Sequence, residues 1–85
     1  MPEIARFYGI IIYIFYDEHN PPHFHAEYAG NRALITLKDG IVTGQMPKRA
    51  LKLIFEWMEI HAEELMEDWE LSLKGEPLKK IKPLD

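Results

Sequence analysis

Apolar and polar positions change rhythm near Met46-Pro47: before it they run or alternate in short stretches, and after it they recur every three or four residues. Ile10-Ile11-Ile12-Tyr13-Ile14-Phe15-Tyr16 is β-branched and aromatic without polar alternation, the pattern of a central strand covered on both faces. A shorter segment around Ile4 to Tyr8 precedes it, and Gly9 marks a bulge or bend between them. The turn Asp17-Glu18-His19-Asn20-Pro21-Pro22 stops the strand, because its prolines bring no backbone donor and hold the residue before each extended. His23 to Tyr28 forms the next strand. A two-residue hairpin at Ala29-Gly30 then pairs Tyr28 with Asn31, Glu27 with Arg32, Ala26 with Ala33 and Phe24 with Ile35. That register sets opposite charges across from each other on one face and apolar residues together on the other, and a slip of one residue loses both matches. Asp39-Gly40 is the stronger turn signal and returns Ile41 to Gly44 with Leu37 opposite Val42. The apolar face is then Phe24, Ala26, Ala33, Ile35, Leu37 and Val42.

Pro47 opens a helix, and Leu51, Ile54, Met58, Leu65, Trp69 and Leu73 follow the spacing of one helical face. Glu56, Glu59, Glu63, Glu67 and Glu70 form an acidic stripe on another. An unbroken helix from Pro47 to Leu73 would be about 40 Å long at 1.5 Å per residue, longer than strands this short can cover. The pattern therefore predicts two consecutive helices, or one bent near His61. Gly75 and Pro77 end the helical region, and the remainder reads as a basic tail. The predicted fold class is α+β: one domain over 1–85, with a small antiparallel β-meander of four to five strands in 1–46, helices in 47–74 packed on it, and the tail in 75–85.

Composition narrows the function classes. At 85 residues the chain buries a modest share of its surface, so a partner or second copy is expected to add stability. Leu53, Phe55, Trp57 and Ile60 give the helix more apolar surface than one sheet face needs, which points to a homodimer or a heteromeric contact. No stretch approaches the roughly 20 apolar residues of a membrane span. Glu3, with no basic region before a hydrophobic segment, speaks against a secretory signal, and the expected location is cytoplasmic. Without cysteine there are no disulfides or thiolate ligands. A net charge of −4 disfavours a protein that coats nucleic acid through a dense basic surface, although a local basic site remains open.

Candidate chemistry concentrates in His19-Asn20-Pro21-Pro22-His23-Phe24-His25-Ala26-Glu27. In an extended strand His23, His25 and Glu27 share one face, the two imidazoles lying roughly 7 Å apart along the strand. With His19 or Asp17 from the turn and Glu27 from the strand, His23 and His25 complete a set of three or four nitrogen and oxygen ligands suited to zinc or another divalent ion. The same face also serves metal-free acid and base chemistry, with one imidazole accepting a proton, the other donating one, and Arg32 stabilising charge on a phosphate, as a metal-independent ribonuclease requires. The plain competitor has the histidines hydrogen-bonding the diproline turn and shielding the sheet. His23, His25 and Arg32 are thus the candidate catalytic residues, and His19, Glu27, Lys48 and Arg49 candidates for ligand or partner contact. Lys48 and Arg49 stand, with Lys52, where cations work slightly against the helix dipole. Whether the protein is an enzyme is left open, with no cofactor expected unless the metal reading holds.

Pro2-Glu3-Ile4, Gly9-Ile10, the run Asp17 to His25, Pro47-Lys48-Arg49-Ala50-Leu51, Asp68-Trp69-Glu70 and Pro77-Leu78-Lys79-Lys80-Ile81 together resemble the domain-of-unknown-function 4160 (DUF4160) family over nearly the whole chain. The match is most specific at His19, Pro21, Pro22, His23 and His25. The resemblance implies a small prokaryotic protein encoded beside a second small protein, the pair looking like a type II toxin–antitoxin module with this family as the toxin. It implies a cognate antitoxin partner and no mechanism. From the residues themselves comes RNA as a target, and from the resemblance the toxin. The alternative is a noncatalytic module, metal-binding or not, that recognises a protein or regulatory ligand.

Overall fold

The computed structural model describes residues 3–16 and 18–85; Met1, Pro2 and Asp17 lie outside the described residues, and with them the Pro2 position of the resemblance and the Asp17 alternative ligand. Five strands, β1 (Glu3–Phe7), β2 (Ile10–Tyr13), β3 (His23–Tyr28), β4 (Asn31–Thr36) and β5 (Val42–Gly44), form an antiparallel meander in chain order, followed by α1 (Lys48–Ile60) and α2 (Ala62–Lys74). The fold is α+β as the sequence pattern predicts.

The hairpin of β3 and β4 has the expected register, with Glu27 opposite Arg32 and Phe24 opposite Ile35. Its turn holds Ala29 at φ 48° and Gly30 at φ 83°, so both central residues adopt the left-handed conformation that matches the twist of the flanking strands. Tyr8 and Gly9 make the same kind of turn between β1 and β2 rather than a bulge.

Three expectations about the strands are corrected. β2 ends at Tyr13 instead of continuing to Tyr16. Continuing the register of Tyr13 opposite His25 would place Tyr16 across from Pro22, which has no N–H to give. Cover on both faces of β2 is met in part: Ile10 and Ile12 are buried towards the helices, and on the opposite face Tyr13 is buried while Ile11 is half-buried. At the second turn Val42 stands opposite Ile35, not Leu37. The Leu37 N–H donates to the Pro22 carbonyl at 2.9 Å, which draws it towards the diproline loop and lengthens the turn, now closed by the Thr36 N–H to Ile41 carbonyl bond.

One sheet face carries the core. Ile10, Ile12, Phe24, Ala26 and Ile35 pack against Ala50, Ile54 and Trp57 of α1 and Leu65 and Trp69 of α2. The helices break at His61, whose N–H still bonds Trp57 while its carbonyl accepts from Leu65, so the chain turns a corner between two short helices. Leu73, read as part of the apolar face, is exposed, and the polar Asp68 and Ser72 are buried instead. Gly75, at φ 72°, caps α2 in the left-handed conformation.

The basic tail is a packed strap. Its Ile81 is buried and gives its N–H to the Ile4 carbonyl on the edge strand at 2.8 Å, the Trp57 indole donates to the Lys82 carbonyl at 2.8 Å, and Lys79 pairs with Glu67. The strap therefore helps occupy the free edge of β1 and covers the largest core side chain. No described helix is long and apolar enough to cross a membrane.

Candidate functional site

The sheet face turned away from the helices is organised in rungs by the strand register. One rung runs Arg6, Ile11, Glu27, Arg32, and the next runs Tyr13, His25, Leu34, Thr43. Around the second rung lies an open cleft of about 260 Å³ lined by Tyr13, Phe15, His25, Arg32, Ala33, Leu34 and Thr43. The Tyr13 ring stacks nearly parallel on His25 with centroids 5.6 Å apart, and Phe15 meets His25 edge-on at 4.6 Å. These contacts fix the imidazole plane and give the cleft an aromatic wall. Arg32 donates Nε–H to Glu27 at 3.0 Å, but its side chain is 76% exposed, so the pair adds little stability and leaves guanidinium donors free.

His23 begins β3 at the corner of this face and is 6% exposed. Its ring lies 5.0 Å from the Trp69 indole and 5.3 Å from the His25 ring. Nδ1 is 2.8 Å from the Pro21 carbonyl, which can only accept, so Nδ1 carries the proton. The loop before it, which includes a cis Asn20–Pro21 bond, sets Glu18 over both histidines. His25 Nε2 donates to Glu18 Oε1 at 2.8 Å. His23 Nε2 lies 3.5 Å from the same oxygen and is buried without a hydrogen-bond partner. Burial pushes the Glu18 carboxyl up, and the hydrogen bond from His25 together with the nearby His23 ring outweighs it, so it sits below its ordinary range and is ionised at neutral pH.

Glu18, His23 and His25 are thus one cluster, each offering a ligand atom, all within 4.8 Å of one another. His25 belongs both to this cluster and to the cleft. His19 is exposed on the loop and outside the cluster. Arg32 and His25 line the cleft together, whereas His23 does not, so His23, His25 and Arg32 do not converge on one point. Glu27 stays on the neighbouring rung as the partner of Arg32. Lys48 and Arg49 are exposed on the first turn of α1, make no ion pair among the described residues and do not line the cleft.

Among the described residues the carboxylate beside His23 and His25 is Glu18, where the sequence reading placed His19 from the same turn. The available signal was a carboxylate beside His19 in the turn, and spacing alone does not say which of the two the loop folds inward. Asp68, which shares one helical stripe with Leu65 and Ser72, is a second buried polar residue that the apolar pattern does not reveal. The Lys79 N–H donates to Asp68 Oδ1 at 2.9 Å, while Oδ2 is buried without a partner. Burial pushes this carboxyl above its ordinary value, only partly offset by the Lys79 N–H.

A family model described as "Domain of unknown function (DUF4160)" matches residues 9–70, well over half of the chain and the whole of the histidine corner. No curated protein and no solved structure matches this chain.

Proposed function

The chain belongs to the DUF4160 family, and on that premise we propose that it is the toxin component of a type II toxin–antitoxin pair whose working surface, the histidine-bearing sheet face, takes up RNA. The observation that supports this reading is the cleft around His25. Aromatic side chains on an open antiparallel sheet suit unstacked bases, and an exposed guanidinium beside them suits a phosphate. The overall acidity of the chain confines such recognition to this local patch. In this reading Arg32 contacts phosphate, Tyr13, Phe15 and His25 contact the base, and Thr43 adds a hydroxyl. A cognate antitoxin holds the protein inactive in the cytoplasm, and Ile60 and Leu73, exposed on the helices, offer apolar surface to that partner or to a second copy.

One observation favours the noncatalytic reading: His23 is sealed and oriented by a backbone carbonyl, so it does not supply the second proton-transfer group of a metal-free ribonuclease. Binding alone, without cleavage, then accounts for the cleft.

Induction of the isolated gene in a bacterial host tests the toxin reading. Growth is expected to arrest, and Arg32→Glu, a change at an exposed position, is expected to relieve the arrest and to abolish binding of a short single-stranded RNA measured by fluorescence anisotropy. Normal growth at good soluble expression of the unaltered chain would sink it.

A further inference from the structure

His23 Nε2 is the least satisfied atom of the histidine corner. With the proton held on Nδ1 by Pro21, a neutral His23 presents a bare lone pair from Nε2, buried and 3.5 Å from an ionised carboxylate oxygen. Two lone pairs at that separation repel unless a cation stands between them. A proton on Nε2 would be one such cation, but it would bury an imidazolium, and its contact with Glu18 does not make a hydrogen bond. The oxygen it would address already accepts from His25. A metal ion satisfies all three groups at once.

We propose that Glu18, His23 and His25 form a binding site for a zinc-type divalent transition metal, a two-histidine, one-carboxylate centre beside the cleft. The donor set of two imidazoles and one carboxylate suits zinc and its neighbours rather than magnesium or calcium, which favour all-oxygen surroundings. The Glu18 oxygen stands 2.8 and 3.5 Å from the two imidazole nitrogens, against about 3.3 Å between ligands of a tetrahedral zinc with ~2.0–2.1 Å bonds. All three ligand atoms fall within 4.8 Å, so small side-chain shifts close the site. The surroundings are those of a built centre. The Nδ1–H of His23 is fixed by a carbonyl, which sets its tautomer and aims Nε2 inward, and the Trp69 ring packs on the imidazole. His25 is clamped between Tyr13 and Phe15. Three protein ligands leave a position for water or a ligand atom, and the sharing of His25 puts the ion next to the cleft. Binding takes the His25 Nε2 lone pair, so the proton now donated to Glu18 moves to Nδ1 or to solvent, and solvent protons compete with the metal for the ligand atoms. The site stands on ligand geometry and holds whichever molecule occupies the cleft.

Elemental analysis of protein made without a histidine tag in zinc-supplemented medium is expected to find close to one equivalent of metal. After chelation, zinc at about a hundredfold excess over its Kd is expected to raise Tm by about 10 °C or more. Glu18→Gln changes a partly exposed loop residue and leaves the core intact, so together with His25→Gln it gives folded variants in which the zinc shift is lost. His19→Ala is expected to keep the full shift. Absence of metal together with no Tm rise overturns the proposal, as does a shift retained in both Glu18→Gln and His25→Gln, which marks adventitious binding elsewhere. Loss of the shift in His19→Ala overturns the assigned ligand set. None of these readouts depends on growth arrest or on RNA.

Discussion

Among the described residues two buried polar side chains are only half satisfied, His23 at the corner of the open sheet face and Asp68 beneath the C-terminal strap. His23 spends Nδ1 on the Pro21 carbonyl and leaves Nε2 bare; Asp68 spends Oδ1 on the Lys79 N–H and leaves Oδ2 bare. What stands opposite the bare atom separates them. Around His23 it is Glu18 and His25, two more donors of electron pairs at ligand spacing. The charges felt by Asp68 are Glu67 and Glu64 raising its pKa and Lys79 lowering it, with burial the largest influence. An orphan nitrogen facing further lone pairs is completed by a cation from solution, whereas an orphan carboxylate oxygen among acidic neighbours is relieved by a proton. The same unmet hydrogen bond thus marks a ligand site in one place and a fastening for the strap in the other.

Cutting the strap at its apolar anchor separates the two regions most forcefully. Ile81→Ala removes a buried side chain that joins β1 to the helices, and its expected cost is about 2–5 kcal/mol in urea unfolding. The Tm increment given by zinc should survive in this variant. If it disappears with the strap, the two regions are one cooperative unit and the contrast between them fails. Asp68→Ala should cost less, about 1–3 kcal/mol, because it leaves the Lys79 N–H without its acceptor while removing a charge that burial disfavours. A cost as large as that of Ile81→Ala would mean that the hydrogen bond, not the apolar anchor, holds the strap.

What the sequence made legible divides along physical lines. The register of β3 and β4 was readable because Glu27 with Arg32 and Ala26 with Ala33 match in one alignment only. The break at His61 followed from helix length against strand length. Local signals of this kind need no knowledge of the rest of the chain. The shifted pairing of Val42 needed it, since a remote carbonyl at Pro22 captures the Leu37 N–H. The strap hid for a similar reason: its anchor, Ile81, sits between lysines, and only contact with Ile4 and Trp57 gives that segment an inside. At the histidine corner the strand pattern brought His23 and His25 to mind together, but the path of the loop, which decides between Glu18 and His19, has no periodicity to read.

The smallest expected effect is the sharpest for the comparison, because the two carboxyls should respond to acid with opposite signs. In chelator, so that no metal intervenes, Glu18 has its folded pKa below the ordinary 4.5. Its ionised form is favoured by folding, and the stability it contributes is present above pH 4.5 and lost as pH falls through the lowered value. Asp68 has its folded pKa above the ordinary 3.8, so its ionised form is disfavoured by folding. Its penalty is in force above the raised value and is relieved as pH falls from there towards 3.8. Urea midpoints measured from pH 7 down to about pH 3 should therefore fall less steeply in acid for Glu18→Gln than for the parent, and more steeply for Asp68→Asn. If both variants shift the acid limb in the same direction, the two half-satisfied groups are alike after all, and the distinction between ligand site and fastening falls with it.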